Sequence, residues 1–204
     1  METLKKDREI VWIQIFYLFI TPVLLLYYKV IPGNYRFILL FAVALLLYGI
    51  VKRAHWTYSD MGIKNDFMKD ILPFVLFTLG GVGFLIWLAQ VVPHSPFLNW
   101  WENTKFLLLF IPISILQEVI FRGILMNFLR KVFSNPIFII SLNAAVFAFM
   151  HVIYLNSIFV LPMTFIAGLG FAWMYYNYKN LVLISLSHTV LNFVAMILGF
   201  FIIR

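Results

Sequence analysis

The sequence predicts an all-α fold: a polytopic membrane helix bundle of about seven transmembrane helices, with a polar cavity among the last four. Three observations predict it. The 204 residues are 64% hydrophobic and only 11% charged, with a mean hydropathy of +0.98, more apolar surface than a soluble domain of this size can bury. Seven stretches are apolar over most of the roughly 20 residues that a spanning helix needs. Polar residues recur at one-turn spacing in the middle of three of the last four stretches.

The stretches run over 10–30, 36–52, 71–92, 105–130, 136–155, 157–177 and 181–203. The first follows Met1-Glu-Thr-Leu-Lys-Lys-Asp-Arg-Glu without a small-residue cleavage site, and reads as a retained helix, not a signal peptide. The second is short. Residues 53–70 mix Trp56, Tyr58, Met61, Ile63, Phe67 and Met68 with charges, as an interfacial segment does. The third carries Gly80, Gly81 and Gly83, and Trp100 and Trp101 after it suit an aromatic belt. In the fourth, Pro112 breaks the helical hydrogen-bond pattern before the polar residues. Gly123, and Gly168 with Ala172 in the sixth, allow close helix approach. We divide the chain into an N-terminal part, 1–104, and a core, 105–204, within one integral membrane domain.

With the N-terminus inside, ten cations fall on inner segments (Lys5, Lys6, Arg8, Lys52, Arg53, Lys64, Lys69, Arg130, Lys131, Lys179) and four on outer ones (Lys29, Arg36, Lys105, Arg204). That bias favours a cytoplasmic N-terminus. It also accounts for the net charge of +7 without nucleic acid as a partner. The absence of cysteine excludes disulfides and thiolate metal sites.

The candidate site residues are Gln117, Glu118, Arg122, His151, His188 and Asn192. A charge at the bilayer centre costs at least a few kcal/mol, so it is rarely kept without a task. Glu118 and Arg122, four apart, can pair on one helix face and so lower that cost. Gln117 points about 100° away from Glu118. Asn143, Phe147 and His151 form one stripe; Ser185, His188 and Asn192 form another. At ~1.5 Å per residue from the inner ends, Glu118, His151 and the His188–Asn192 pair lie at roughly 18, 22 and 14–20 Å, a single level. Any one of these residues alone is as well explained by packing; the joint pattern is not. His55 and His94 lie in loops and carry no assigned role.

Gln117-Glu118-Val-Ile-Phe-Arg122-Gly123, Phe147-x-x-x-His151 and His188-x-x-x-Asn192, in this order and in apolar context, resemble the CPBP family, also called Abi or type II CAAX prenyl endopeptidase-like. The family pattern is Glu-Glu-x-x-x-Arg, Phe-x-x-x-His and His-x-x-x-Asn/Asp, and the likeness covers roughly residues 105–200. The resemblance implies a glutamic intramembrane endopeptidase without metal or other cofactor. Position 117 and His151 would activate water, His188 and Asn192 would form the oxyanion hole, and Glu118 with Arg122 would support them. It also implies a catalytic-type cavity, a membrane-associated peptide or protein substrate, a lipid bilayer, and residence in a bacterial plasma membrane.

Gln117 departs from that pattern, because an amide cannot accept a proton at neutral pH. Three readings stay open: a substitution that silences an enzyme, a non-catalytic peptide-binding or bacteriocin-immunity relative, or Glu118 as base with His151, against which its engagement by Arg122 counts. Two rival functions are weaker. A zinc site from Glu118, His151 and His188 lacks a His-Glu-x-x-His motif and has Arg122 beside its carboxylate. A transporter needs a polar path, whereas this polar set is compact.

Overall fold

The computed structural model describes residues 2–92, 94–154 and 156–201, with side chains from residue 6 onward. The side chain of Lys5, the last residues of the seventh stretch and Arg204 lie outside the described residues. The described chain is mostly helical, without a strand, and forms a polytopic membrane helix bundle. Six helices are long and apolar enough to cross a bilayer: α1 (Lys6–Tyr27), α2 (Gly33–Arg53), α3 (Phe67–Val91), α4 (Thr104–Val132), α5 (Pro136–Ile153) and α6 (Ser157–Tyr178). The short second stretch is thus a full 21-residue helix.

The seventh helix, α7 (Leu181–Ile197), is shorter, at 17 residues. Its stop is local. Gly199 takes φ 79°, its N–H donates to Met196 O (2.9 Å), and the Phe200 N–H reaches back to Ala195 O (3.1 Å), the paired bonds of a Schellman end. A Cβ at Gly199 would also overlap the Ser95 carbonyl, so the turn is closed to larger residues. The other ends have equally local causes. The Asn103 side chain accepts from Phe106 N (2.9 Å) to start α4. Asn135 accepts from Ile137 N (2.9 Å), ahead of Pro136 at the first position of α5. Asn180 accepts from Leu183 N (3.2 Å) to start α7.

The spanning helices are not all uniformly α. Ile15–Ile20 in α1 and Val119–Leu125 in α4 wind as π-helix, and the last turn of α5, Met150–Ile153, tightens to 3₁₀. His151 therefore sits on a 3₁₀ turn. The irregularity in α4 falls seven residues beyond Pro112, over Arg122 itself.

Helices α5 and α6 pack most closely, α7 packs on α3 and α4, and α1 lies along the far end of α4, where Arg8 Nε donates to Val132 O (2.9 Å). Gly168 makes the α5–α6 contact possible: a Cβ there would stand 3.2 Å from Ala144 Cα and 3.1 Å from the Phe147 ring. Gly168→Val is expected to destabilise the fold by about 1–3 kcal/mol. Chemical denaturation in detergent measures it, and an unchanged midpoint would remove Gly168 from the packing argument. Gly81 is similarly confined by Leu191, but Gly80 and Gly83 face open space, so only one glycine of that trio serves helix approach. Gly123 meets Leu181 at an ordinary 3.4 Å.

Residues 54–70 close one end of the bundle through hydrogen bonds to the helices above. Tyr175 Oη donates to Met61 O (2.9 Å), Lys64 Nζ to Tyr178 O (2.7 Å), Asn127 Nδ2 to Asp60 O (2.8 Å) and Asn180 Nδ2 to Phe67 O (2.7 Å). Trp56 packs edge-on against Phe128 and beneath the Lys131 ammonium. Asp60, exposed, accepts from the Thr57 amide (2.7 Å) and hydroxyl (2.8 Å), which hold its carboxyl below the usual carboxylate range.

Candidate functional site

Glu118 and Arg122 are fully buried one turn apart on α4, with Arg122 Nη1 donating to Glu118 Oε1 at 3.0 Å. The guanidinium is held from two further sides. Nη2 donates to Gly168 O on α6 (3.3 Å), and Cζ lies 4.4 Å from the Phe147 ring centroid and 5.4 Å from that of Phe171. Gly168 therefore does two things: it lets α6 approach α5, and it presents its carbonyl to Arg122.

His188 Nδ1 stands 2.7 Å from the same Glu118 Oε1. The contact is close but lacks the alignment of a directed hydrogen bond, so we read it as electrostatic contact between ring and carboxylate. Glu118 Oε2 and Arg122 Nε have no partner among the described residues. His151 lies across the Phe147 ring, at 5.0 Å between centroids; His188 contacts the same ring at 5.6 Å. One phenylalanine thus spaces Arg122, His151 and His188 around itself.

The tautomer of His151 follows from its neighbour. Its Nδ1 is 3.0 Å from the Phe147 carbonyl oxygen, which can only accept, so Nδ1 carries the proton and Nε2 of the neutral ring is an acceptor. Asn192 Nδ2 donates to Ser114 Oγ (2.8 Å), and that hydroxyl donates to Phe110 O (2.7 Å). Asn143 Nδ2 donates to Phe121 O (2.8 Å), tying α5 to the π segment of α4.

Two cavities flank this group. The larger, about 610 Å³, is lined by Gln117, His151 and Asn192; its walls also come from α1, α2 and α4. The smaller, about 310 Å³, is lined by His151, His188 and Asn192, with walls from α3, α5, α6 and α7. His151, Asn192 and Phe201 border both. Both cavities border the last four helices, with α1 and α2 adding walls to the larger and α3 to the smaller.

All six sequence-derived residues converge, in two sets. Gln117, His151 and Asn192 face the larger cavity, whereas Glu118 and Arg122 line neither and sit behind, with His188 bridging to the smaller one. The 100° between Gln117 and Glu118 is what separates the sets. Glu118 engages His188, not His151, which weighs against the reading of Glu118 with His151 as a base pair. Among the described residues no group of three histidine or acidic side chains is placed to hold a metal ion. Sequence reasoning missed Ser114, fully buried and bonded to Asn192. Its signal was present: it lies one turn before Glu118.

Residues 99–194 match the family model described as type II CAAX prenyl endopeptidase Rce1-like, a segment containing all six candidate residues. The match bears out the resemblance carried by the three motifs. No curated protein and no solved structure matches the chain.

Proposed function

We propose that this chain has the framework of an intramembrane endopeptidase, one that hydrolyses a peptide bond in a membrane-associated peptide or protein, and that Gln117 impairs it. The observation that carries this reading is the grouping of Gln117, His151 and Asn192 on one cavity, with Glu118 and Arg122 held behind them. Peptide hydrolysis needs a base for water and donors for the developing oxyanion. His151 Nε2 is free to accept a proton or a water hydrogen, and a carboxylate at position 117 would complete the base. Asn192 has a second amide N–H beyond the one given to Ser114.

His188 is the other donor. Its Nδ1 faces the Glu118 carboxylate, which Arg122 holds from the other side, so the pair sets the orientation of the ring. This gives Glu118 and Arg122 a task that does not require either to reach the peptide. We assign the substrate side to the larger cavity, the cytoplasmic side to the N-terminus and the setting to a bacterial plasma membrane.

Gln117 also favours a second reading, a peptide-binding or immunity protein that keeps the cavity without the base. The two separate in a paired assay in liposomes, in which the chain and its Gln117→Glu form meet a library of membrane peptides with and without chelator. Cleavage by the glutamate form alone, indifferent to chelator, supports the endopeptidase. Binding of a library peptide by both forms without cleavage by either supports the second reading, and cleavage lost on chelation would bring back a metal mechanism.

A further inference from the structure

We infer that the mouth of the larger cavity is a binding site for an anionic phospholipid, its phosphate held by Arg36 and Lys105 and an acyl chain lying in the cavity. Both cations line this cavity, at the start of α2 and of α4. They gather at a single ring: Arg36 Cζ is 4.7 Å and Lys105 Nζ 5.9 Å from the centroid of Phe37. Two like charges over one ring repel each other unless an anion joins them. No carboxylate among the described residues pairs with either cation. Among the described residues the ion pairs are Lys64–Asp70 and Glu118 with Arg122 and His188. A guanidinium and an ammonium together suit a phosphate, the first through its planar fork and the second as a point charge.

The space below selects the rest of the ligand. From Lys105 to Gln117, α4 advances about 18 Å, close to the ~15 Å that the chains of one leaflet span in a ~30 Å hydrocarbon core. The wall in between includes the apolar side chains of Leu26, Leu40, Leu109 and Ile113. An acyl chain needs no hydrogen-bond partner along those side chains. Charge at the mouth and apolar side chains below it thus both fit an anionic lipid.

Native mass spectrometry of the protein exchanged into phosphatidylglycerol or phosphatidylcholine tests this without any variant. At least tenfold stronger retention of phosphatidylglycerol is expected; equal retention of the two lipids would overturn the site. The preference is expected to vanish in Arg36→Gln/Lys105→Gln with an unchanged unfolding midpoint. Leu109→Trp, which fills the cavity and leaves both cations in place, is expected to lose the lipid too. A preference that survives the double substitution would place the lipid elsewhere. Displacement of the lipid by an apolar peptide with a free C-terminal carboxylate, but not by its amide, would assign the cations to a peptide end and overturn the lipid reading. The readout is lipid retention, so it stands or falls apart from cleavage.

Discussion

Gln117→Glu is expected to raise peptide-bond cleavage by about 10²–10⁴-fold, the range that a positioned general base contributes. The side chain already lines the larger cavity together with His151 and Asn192, so the exchange adds a proton acceptor without requiring a new fold. His151→Ala in that background is expected to return the rate to the level of the unsubstituted chain, since its Nε2 is the other acceptor on the cavity. Asn192→Ala is expected to lower turnover by about 10²-fold, the effect of removing one oxyanion donor. Single-turnover cleavage of a reconstituted peptide measures all three. A glutamate form as slow as the parent on every peptide that binds the cavity would sink the assignment of position 117.

Arg122→Met is expected to cost about 3–5 kcal/mol of stability, because it leaves Glu118 buried as an uncompensated charge. It also removes the bond to Gly168 O and the cation over Phe147. Glu118→Gln is expected to cost less than Arg122→Met, since Arg122 keeps its carbonyl and ring contacts. The double variant Glu118→Gln/Arg122→Met is expected to recover part of the loss, being without a buried charge on α4. Denaturant titration in mixed micelles yields the three values and their coupling. Single losses below about 1 kcal/mol with no coupling would mean that the pair is reached by water and holds nothing together.

Helix number and the ring of polar residues were legible in the sequence because both depend on local regularities: apolar length, one-turn spacing and a common depth. The Glu118–Arg122 pair is a matter of two residues on one helix face, and it lies where the spacing places it. The part of the cavities walled by α1, α2 and α3 was not legible, since nothing in 10–30 or 36–52 marks Leu26 or Leu40 as cavity lining, not lipid-facing. Arg36 and Lys105 counted only as topology markers, because their meeting over Phe37 depends on how α2 stands against α4. The π winding around Arg122 was equally hidden, since Val119–Leu125 has the composition of an ordinary apolar helix. Ser114 was passed over, although its spacing from Glu118 put it on the polar face.

Both members of the central ion pair belong to α4, which bears on how the chain enters a bilayer. Helices leave the ribosome in sequence, and α4 is complete before α7 and His188 have been synthesised. An arginine or a carboxylate at mid-helix costs about 2.5–3.5 kcal/mol on insertion scales when it enters alone. Because Glu118 and Arg122 are joined at 3.0 Å within one helix, α4 can partition with its charges already neutralised and wait for its neighbours. His188, Gly168 and the rings of Phe147 and Phe171 then arrive around a pair that is already made, so the order of synthesis and the order of assembly agree.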